Sequence, residues 1–344
     1  MAVKKFNYQN LNKLDLDYDL LNSLTKIHEF KGKEELYLAD KSYEFDRLKN
    51  LAMIQSTEAS NRIEGISTTD ARLKQLIADK TTPINRDEEE IAGYRDVLKL
   101  IHEDYQYLEL NRNNILALHK KLYEYSPQNF RGKFKANDNV ITENEKIRFR
   151  PAPAYLTPML IDDLCNEYKQ AIQQEKVDPL ILIPCFILDF LSIHPFTDGN
   201  GRMSRLLTML LMYQSGYVIG KYISIEHLIE KTKSTYYESL DASSVGWFDN
   251  VQDYTPFVRY FLGVILRANE ELIERFELMR HSISSADRVI SELHKALQPL
   301  SRAELEMSLP AISQRTIERA LAKLQKENKI EKVGQGRSTR YRGK

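Results

Sequence analysis

The sequence predicts an all-α fold, on three observations. Apolar residues recur at the 3.6-residue spacing of helices along most of the chain. The alternating pattern of half-buried strands is rare, although Tyr and Phe are plentiful. Helix-starting residues precede the most apolar segment, where Asp178-Pro179 combines a capping carboxylate with a proline suited to a first turn. The chain of 344 residues is long enough for a main domain with smaller parts attached.

The N-terminal half carries two clear helix signals. Acidic residues from Asp87 fill a first turn, where they complement the helix dipole, and an apolar stripe follows from Ile91 to Ile101. A second helix is expected from about Asn113. The stretch from Gly132 to Arg150 is instead typical of two short strands around a polar turn at Glu143-Asn-Glu. Helices are expected to resume after the prolines that follow, from Leu160 to Gln174.

Two central helices are predicted to enclose one short polar loop. The first, Leu180 to Ile193, is apolar almost all round and should therefore run through the domain centre. It would deliver His194 at its C-terminal end. The second is expected from Met203 to about Ser215, with Gly216 ending it.

The C-terminal part differs in composition and is predicted to be a separate winged helix-turn-helix domain. From Ile283 onward, 13 Lys or Arg stand against 7 Asp or Glu. A helix capped by Ser301, a longer helix from Ser313 and a basic two-stranded wing from Ile330 fit that outline. Such a domain would bind DNA or a protein partner. The predicted domains are 1–110, 111–280 and 285–344.

Bulk properties exclude several classes of protein. The formal net charge is zero, so the whole molecule is not committed to nucleic acid or to a membrane surface. No signal-peptide core is visible, and the longest apolar run is too short to span a bilayer. A cytoplasmic protein without membrane contact is expected. Cys165 and Cys185 lack metal-ligand spacing and are expected to be buried free thiols.

The polar loop between the central helices has the residues of an anion site. The glycines of Asp198-Gly-Asn-Gly-Arg would let a phosphate approach bare amides at a helix N-terminus. Arg202 and Arg205 lie three residues apart and could bind further phosphate oxygens. Asp198 offers a hard oxygen ligand for Mg²⁺, and His194 is a candidate general base near neutral pH. Each residue alone would suit an ordinary buried turn, but their combination within twelve positions predicts a functional site.

These residues carry a family resemblance. The segment His194-Pro-Phe-Thr-Asp-Gly-Asn-Gly-Arg-Met-Ser-Arg205 resembles the signature HPFx(D/E)GNGRxxR of Fic (filamentation induced by cAMP) domains at every fixed position. Fic proteins are helical, and most transfer AMP from ATP to a Tyr, Thr or Ser hydroxyl of a protein. The resemblance implies the following roles: His194 as base, Asp198 as Mg²⁺ ligand, Gly199, Asn200 and Gly201 as anion hole, and Arg202 and Arg205 on the β- and γ-phosphates. The intact Gly-Asn-Gly favours AMP transfer over the γ-phosphate transfer of the family's kinase-like branch.

The resemblance extends roughly from Leu51 to Leu278. The predicted hairpin at Val140, Ile141 and Thr142 is similar to the family's flap, which holds a target segment by strand addition; an ordinary surface hairpin is the alternative. Tyr236 and Tyr237 match a tyrosine pair that packs around adenine in relatives, although such pairs are often simply core. A polar position that is often Asn in those relatives falls on Ser244 here.

A further segment resembles a built-in inhibitor. Ser60-Asn-Arg-Ile-Glu64-Gly65 fits the pattern (S/T)xxxE(G/N) of the inhibitory helix in autoinhibited Fic proteins, here expected at about 52–65. The resemblance implies that Glu64 pairs with Arg205 and misaligns ATP, which defines the N-terminally inhibited class, called class II. An exposed helical glutamate followed by a C-capping glycine is the alternative.

Three functions stay open at this point. The first is an adenylyltransferase that modifies a target protein or itself, with a reverse, AMP-removing reaction also compatible with Glu64. The second is a Fic-fold kinase or other nucleotidyl transferase. The third is a DNA-binding regulator that uses the Fic body as a nucleotide sensor. ATP and Mg²⁺ are the expected co-substrate and cofactor, and a homodimer is compatible with the sequence.

Overall fold

The computed structural model describes residues 4–8, 11, 14, 16–38, 43–143, 146–282, 284–296, 298–309, 312–334, 336 and 339–344. The chain divides into two compact units, Met1–Leu272 and Ile273–Lys344. Helices predominate in both units. Within the described ranges, no helix combines the length and the apolar character that a membrane crossing requires.

The first unit consists of helices around one short pair of strands. Its elements are α1 (Tyr18–Leu38), α2 (Tyr43–Ile63), α3 (Asp70–Ile77), α4 (Arg86–Asp104), α5 (Arg112–Leu122), β1 (Ile141–Glu143), β2 (Lys146–Phe149), α6 (Thr157–Gln174), α7 (Pro179–Ile193), α8 (Asn200–Gln214), α9 (Ile225–Lys231), α10 (Lys233–Ser244) and α11 (Thr255–Ser282). Helix α11 begins in this unit and ends in the second. The prediction of a mainly helical fold is confirmed.

Helix α7 forms the centre of the first unit. Asp178 caps it by accepting a hydrogen bond from the Leu180 N–H at 2.8 Å, and Pro179 occupies its first turn. Nearly every residue of α7 is buried, as its uniformly apolar sequence predicts. Helices α6 and α8 pack against it. The helix ends at Ile193, so His194 lies in the capping position that follows.

Helix α8 begins three residues earlier than the sequence pattern suggested. It starts at Asn200 rather than Met203 because Gly199, with φ of 82°, takes the left-handed conformation that admits the chain into the helix. Gly201 and Arg202 therefore lie in the first turn of α8. The helix ends at Gln214, before Gly216, whose φ is also 82°.

Two long helices cover the N-terminal end of α8. Helix α4 is capped by Asn85, which accepts from the Glu88 N–H, and three acids fill its first turn. Helix α2 packs against α4, α8 and α9. It is longer than the predicted segment 52–65 and ends at Ile63. Ser60 therefore lies in the last turn of α2, and Glu64 lies just beyond it.

Strands β1 and β2 pair antiparallel, with Ile141 opposite Phe149 and a register irregularity after Ile141. The predicted turn at Asn144 and Glu145 lies outside the described residues. Val140 precedes β1 and is exposed.

The second unit has its own apolar core. Its elements are α12 (Ser285–Lys295), α13 (Arg302–Ser308), α14 (Gln314–Lys326), β3 (Ile330–Val333) and β4 (Arg340–Gly343). Strands β3 and β4 pair antiparallel. Ser301 forms a capping box with Glu304 at the start of α13. Val289, Leu305 and Ile317 are fully buried, which joins the three helices in one cluster.

Candidate active site

The loop between α7 and α8 is held in a defined shape by its own residues. His194 adopts a left-handed conformation with φ of 50°, uncommon for a residue with a side chain. The buried Asn200 amide accepts from the Phe196 N–H at 2.9 Å and donates to the Phe196 carbonyl at 2.8 Å. Asn200 thereby closes the turn that separates His194 from the N-terminus of α8.

A second histidine, which sequence reasoning missed, supports the same loop. The His119 ring stacks on Phe196, with ring centroids 3.7 Å apart. Its Nδ1 accepts from the Gly132 N–H at 3.0 Å, so its Nε2 carries the proton and donates to the Asp198 carbonyl at 3.1 Å. Burial lowers the pKa of His119 to about 4, which keeps the ring neutral. A lone histidine in α5 gives no sequence signal for this role.

The loop opens onto a cavity of about 650 Å³, a size typical of sites for nucleotide-sized ligands. Residues that are far apart in the sequence, from Glu64 to Ser244, meet in its wall. The lining includes Glu64, Ile141, Arg148, Phe149, His194, Gly201, Arg205, Lys233, Tyr236, Tyr237, Asp241 and Ser244. Eight of the residues singled out in the sequence are therefore brought to one cavity.

His194 has the protonation state that a general base needs. Burial lowers its pKa to about 4, and the nearby Lys135 cation acts in the same direction. The imidazole is therefore neutral at pH 7. Lys135 stabilises the start of the loop between α7 and α8. Its Nζ donates to the Ile193 carbonyl at 3.0 Å and to the side-chain oxygen of Asn139 at 2.9 Å.

The Glu64 carboxylate lies against the N-terminus of α8. A Cβ atom added to Gly201 would meet the Glu64 Oε1 at 2.3 Å, so only glycine permits this approach. Helix N-termini attract anions because their first amides lack helical partners. The carboxylate thus occupies the place at which the sequence predicts a phosphate.

Arg205 donates three hydrogen bonds to residues at and just beyond the end of α2. Its Nε donates to the Ser60 Oγ at 2.7 Å, and its Nη2 donates to the Ser60 carbonyl at 2.9 Å and to the Glu64 Oε1 at 2.8 Å. The side chain of Arg205 is 3% exposed, whereas that of Glu64 is 29% exposed. The pair therefore lies at the edge of solvent, with the glutamate on its outer side.

The structure directs Arg202 away from the cavity. Its guanidinium forms a buried ion pair with Glu90 at 2.7 Å and donates to the Tyr123 hydroxyl at 2.7 Å. Arg202 and Arg205 thus do not both line the cavity, because the Arg202 guanidinium pairs with Glu90 of α4. A phosphate contact by Arg202 stays a prediction.

Asp198, the predicted Mg²⁺ ligand, lies beside this network. Its Oδ1 accepts from the Gly199 N–H at 2.6 Å, and its Oδ2 is 3.3 Å from the Arg86 Nη2. The side chain is partly exposed and does not line the cavity. In the described part of the chain, no cluster of three or more His, Cys, Asp or Glu could hold a metal. One carboxylate suits Mg²⁺ that takes its other ligands from phosphates and water.

The predicted adenine pair, on α10, forms part of the cavity wall. Tyr236 is buried with its ring 5.2 Å from that of Tyr237, and both line the cavity. The Arg148 guanidinium lies 5.2 Å from the Tyr237 ring centroid and forms an ion pair with Asp241 of α10. Arg148 therefore links strand β2 to this wall, a role that no sequence pattern indicated. Ser244 of α10 also lines the cavity.

Strand β1 borders the cavity with Ile141. In the part of the chain that the structure describes, β1 pairs with β2 alone, so its outer edge carries no strand. That edge can accept an added strand. Of the three predicted flap residues, Val140 does not line the cavity and the side chain of Thr142 is not described.

A helical domain with a glycine-containing loop between two central helices is the class that the fold and the site define. Residues 109–212 match the model of the Fic/DOC family. This segment runs from α5 through most of α8 and contains the loop from His194 to Arg205.

Curated relatives carry names from the same family. The chain is 28% identical over 199 residues to "Protein adenylyltransferase fic-1" of Caenorhabditis briggsae, covering 56% of this chain and 34% of that protein. It is 24% identical over 306 residues to "Protein adenylyltransferase Fic" of Drosophila melanogaster, covering 85% of this chain and 55% of that protein. The chain thus spans between a third and about half the length of these relatives.

Solved structures share the fold. A Fic family protein from Desulfovibrio desulfuricans superposes with a TM-score of 0.65 at 22% identity, over 96% of this chain and 98% of that one. A Fic domain containing signaling protein from Bacteroides thetaiotaomicron gives a TM-score of 0.61 at 24% identity, over 71% of this chain and 95% of that one. At these identities the likeness concerns the fold alone.

Proposed function

We propose that this chain is a protein adenylyltransferase that transfers AMP from ATP to a Tyr, Thr or Ser hydroxyl and is inhibited by its own Glu64. The observation that carries the proposal is the single cavity in which His194, Arg205, Gly201 and the tyrosine pair meet. The names of the relatives support the same reaction.

His194 is proposed to act as the base. The neutral imidazole takes the proton of the target hydroxyl, and the hydroxyl oxygen forms a bond to the α-phosphorus of ATP. The bond between the α-phosphorus and the bridging oxygen breaks, and pyrophosphate leaves. Because no covalent bond to the protein is needed, positioning and charge stabilisation account for most of the rate.

The triphosphate is proposed to lie along the N-terminus of α8. The amides of Gly199, Asn200 and Gly201 face the phosphates, with Arg202 and Arg205 on the β- and γ-phosphates. Asp198 would hold Mg²⁺, which when bound supplies positive charge to the phosphate oxygens. The rings of Tyr236 and Tyr237, with Ser244 nearby, are proposed to bind the adenine.

The acceptor is proposed to be a segment of a target protein, or of this chain itself, that adds a strand to the outer edge of β1. Main-chain hydrogen bonds at Ile141 and Thr142 would fix its register independently of sequence. A hydroxyl in this segment could then reach the base. A homodimer and a cytoplasmic location stay predictions.

The proposed inhibition follows from charge competition at Arg205. While Glu64 is paired with Arg205 and lies against Gly201, a γ-phosphate cannot occupy the same place, since two anions would share one cation. ATP can still enter the cavity, but with its α-phosphorus out of line. The same glutamate, acting on water, could support the reverse removal of AMP.

Isotope transfer tests the proposed reaction. The Glu64→Gly protein is incubated with Mg²⁺, a cell lysate and ATP labelled at either the α- or the γ-phosphorus. Label should reach protein from α-labelled ATP only, and His194→Ala in the same background should abolish it. Transfer of γ-label would instead identify a Fic-fold kinase. No transfer of either label, with ATP bound, would favour a nucleotide-sensing regulator.

A further inference from the structure

The second unit places uncompensated positive charge on one helix. Helix α14 buries Ile317, Leu321 and Leu324 in the unit's core. Its opposite side exposes basic residues at 315, 319, 323 and 326. At 3.6 residues per turn these positions share one side of the helix, over a length of about 16 Å. We call Arg315, Arg319, Lys323 and Lys326 the basic face of α14.

Most acidic side chains in this unit are already engaged elsewhere. Their partners are basic residues, in the ion pairs Glu318–Arg302, Glu304–Arg340, Glu327–Lys329 and Glu331–Arg342. Lys323 also lies 3.9 Å from Glu327. By contrast, Arg315, Arg319 and Lys326 form no ion pair with any residue that the structure describes. The first turn of α14 also contains no acidic residue, unlike those of α12 and α13.

This charge distribution is unusual for a purely structural surface helix. Surface helices gain stability from acids in the first turn and from alternating charges three or four residues apart. Along its basic face, α14 instead aligns like charges at that spacing, which disfavours the isolated helix. An external polyanion would compensate them, and three to four cations aligned over about 16 Å suit a phosphate backbone better than a single bound anion.

We infer that the basic face of α14 docks on duplex DNA. A straight helix with cationic side chains on its exposed side fits the major groove in width, and arginine guanidinium groups bind phosphate oxygens bidentately. Strand β3 adds the exposed Lys332 in the same unit. This inference is independent of the proposed AMP transfer, since none of these residues lines the cavity.

Fluorescence anisotropy of the full chain with a short mixed-sequence DNA duplex, over a series of salt concentrations, tests the inference. The double variant Arg315→Ala/Arg319→Ala should bind more than about tenfold more weakly than the parent at low salt. Its plot of log affinity against log salt should be shallower by about two, because two phosphate contacts are lost. The exposed lysines changed in Lys26→Ala/Lys80→Ala, which belong to the first unit, provide a control with the same loss of charge and no expected effect.

Three results would overturn the inference. The first is that the parent protein does not bind the duplex, and the second is that the control loses as much affinity as the α14 variant. The third is that a polyglutamate peptide, and not DNA, binds through Arg315 and Arg319, which would indicate an acidic protein partner. Denaturant unfolding curves of Arg315→Ala/Arg319→Ala and of the parent are compared. Coinciding curves show that the variant is folded, so that its weaker binding reflects the lost contacts.

Discussion

At the scale of single residues, the contact between Glu64 and Arg205 is expected to determine whether the proposed site is active or inhibited. Arg205 is buried and permanently charged, so it needs an anion whether or not a nucleotide is present. Glu64 provides one at 2.8 Å from the end of α2. Ser60 holds the same guanidinium through its hydroxyl and its carbonyl. Glu64 and the γ-phosphate of ATP are therefore expected to compete for one cation, which changes the alignment of ATP rather than its entry into the cavity.

Lys233 is expected to strengthen the inhibited state. Its Nζ donates to the Ile63 carbonyl at 2.7 Å, which ties the end of α2 to α10 next to Glu64. In Lys233→Ala, AMP incorporation should rise roughly fivefold, since a charge-assisted hydrogen bond that holds the glutamate is lost. The neighbouring Lys231→Ala should leave the rate unchanged.

A double variant separates this role from nucleotide binding, because Lys233 also lines the cavity. In the Glu64→Gly background no inhibitory contact is left for Lys233 to support. Adding Lys233→Ala there should not change the initial rate of AMP incorporation. A marked decrease would mean that Lys233 binds ATP and would contradict the proposed positioning role.

At the scale of elements, the loop between α7 and α8 depends on the buried Asn200 amide. Asn200→Ala would leave the Phe196 N–H without its partner, and the Phe196 carbonyl would keep only the longer hydrogen bond from the Asn139 amide at 3.4 Å, which should lower the free energy of unfolding by about 2 kcal/mol. Chemical denaturation measures this loss. Asn113→Ala, at an exposed position of α5, should change stability by less than about 0.5 kcal/mol. Equal effects of the two changes would show that Asn200 does not hold the loop.

The sequence predicted the central elements because their signals are local. The cap at Asp178, the uniformly apolar α7 and the glycine-rich loop each depend on neighbouring residues. The start of α8 was misplaced because a left-handed Gly199 extends the helix by three residues, which apolar spacing does not reveal. His119 and Arg148 were missed for a related reason. Their roles come from contacts with residues far away in the chain.

The direction of Arg202 could not be predicted for the same reason. Its spacing from Arg205 indicates a shared helix side, but Glu90, on a different helix, determines where the guanidinium points. By contrast, the resemblance at Ser60 and Glu64 anticipated a contact with Arg205 across more than 140 positions. Family patterns thus carried the long-range information that periodicity lacks.

At the scale of the whole molecule, buried neutral histidines make stability depend on pH. Burial lowers the pKa of His119 and His194 to about 4 and that of His102 to about 3, against 6.5 for an ordinary histidine. Between pH 4 and 6.5 the unfolded chain binds protons at these sites and the folded chain does not. The folded state is therefore expected to lose stability as the pH falls from 6.5 towards 4.

His119→Gln isolates one of these contributions. Because the variant lacks the titrating group, its destabilisation relative to the parent should shrink by roughly 2 kcal/mol between pH 6.5 and about pH 5, as the parent alone loses stability there. Denaturant unfolding at both pH values measures the difference. Phe130→Leu, which alters a neighbouring ring without removing a titratable group, should cost the same at both. A constant effect of His119→Gln would indicate that burial does not lower the pKa of this ring.

The central claim is that the Glu64 carboxylate holds the place of a phosphate at Arg205 and the N-terminus of α8. The most direct test is the initial rate of AMP incorporation from α-labelled ATP with Mg²⁺, measured for the parent, Glu64→Gly and the control Glu58→Gly, whose side chain is about as exposed as that of Glu64. We expect a rise of more than about tenfold for Glu64→Gly alone, with ATP affinity little changed. Such a rise means that realigning ATP lowers the activation free energy by more than about 1.4 kcal/mol. Equal rates for the parent and Glu64→Gly would contradict it.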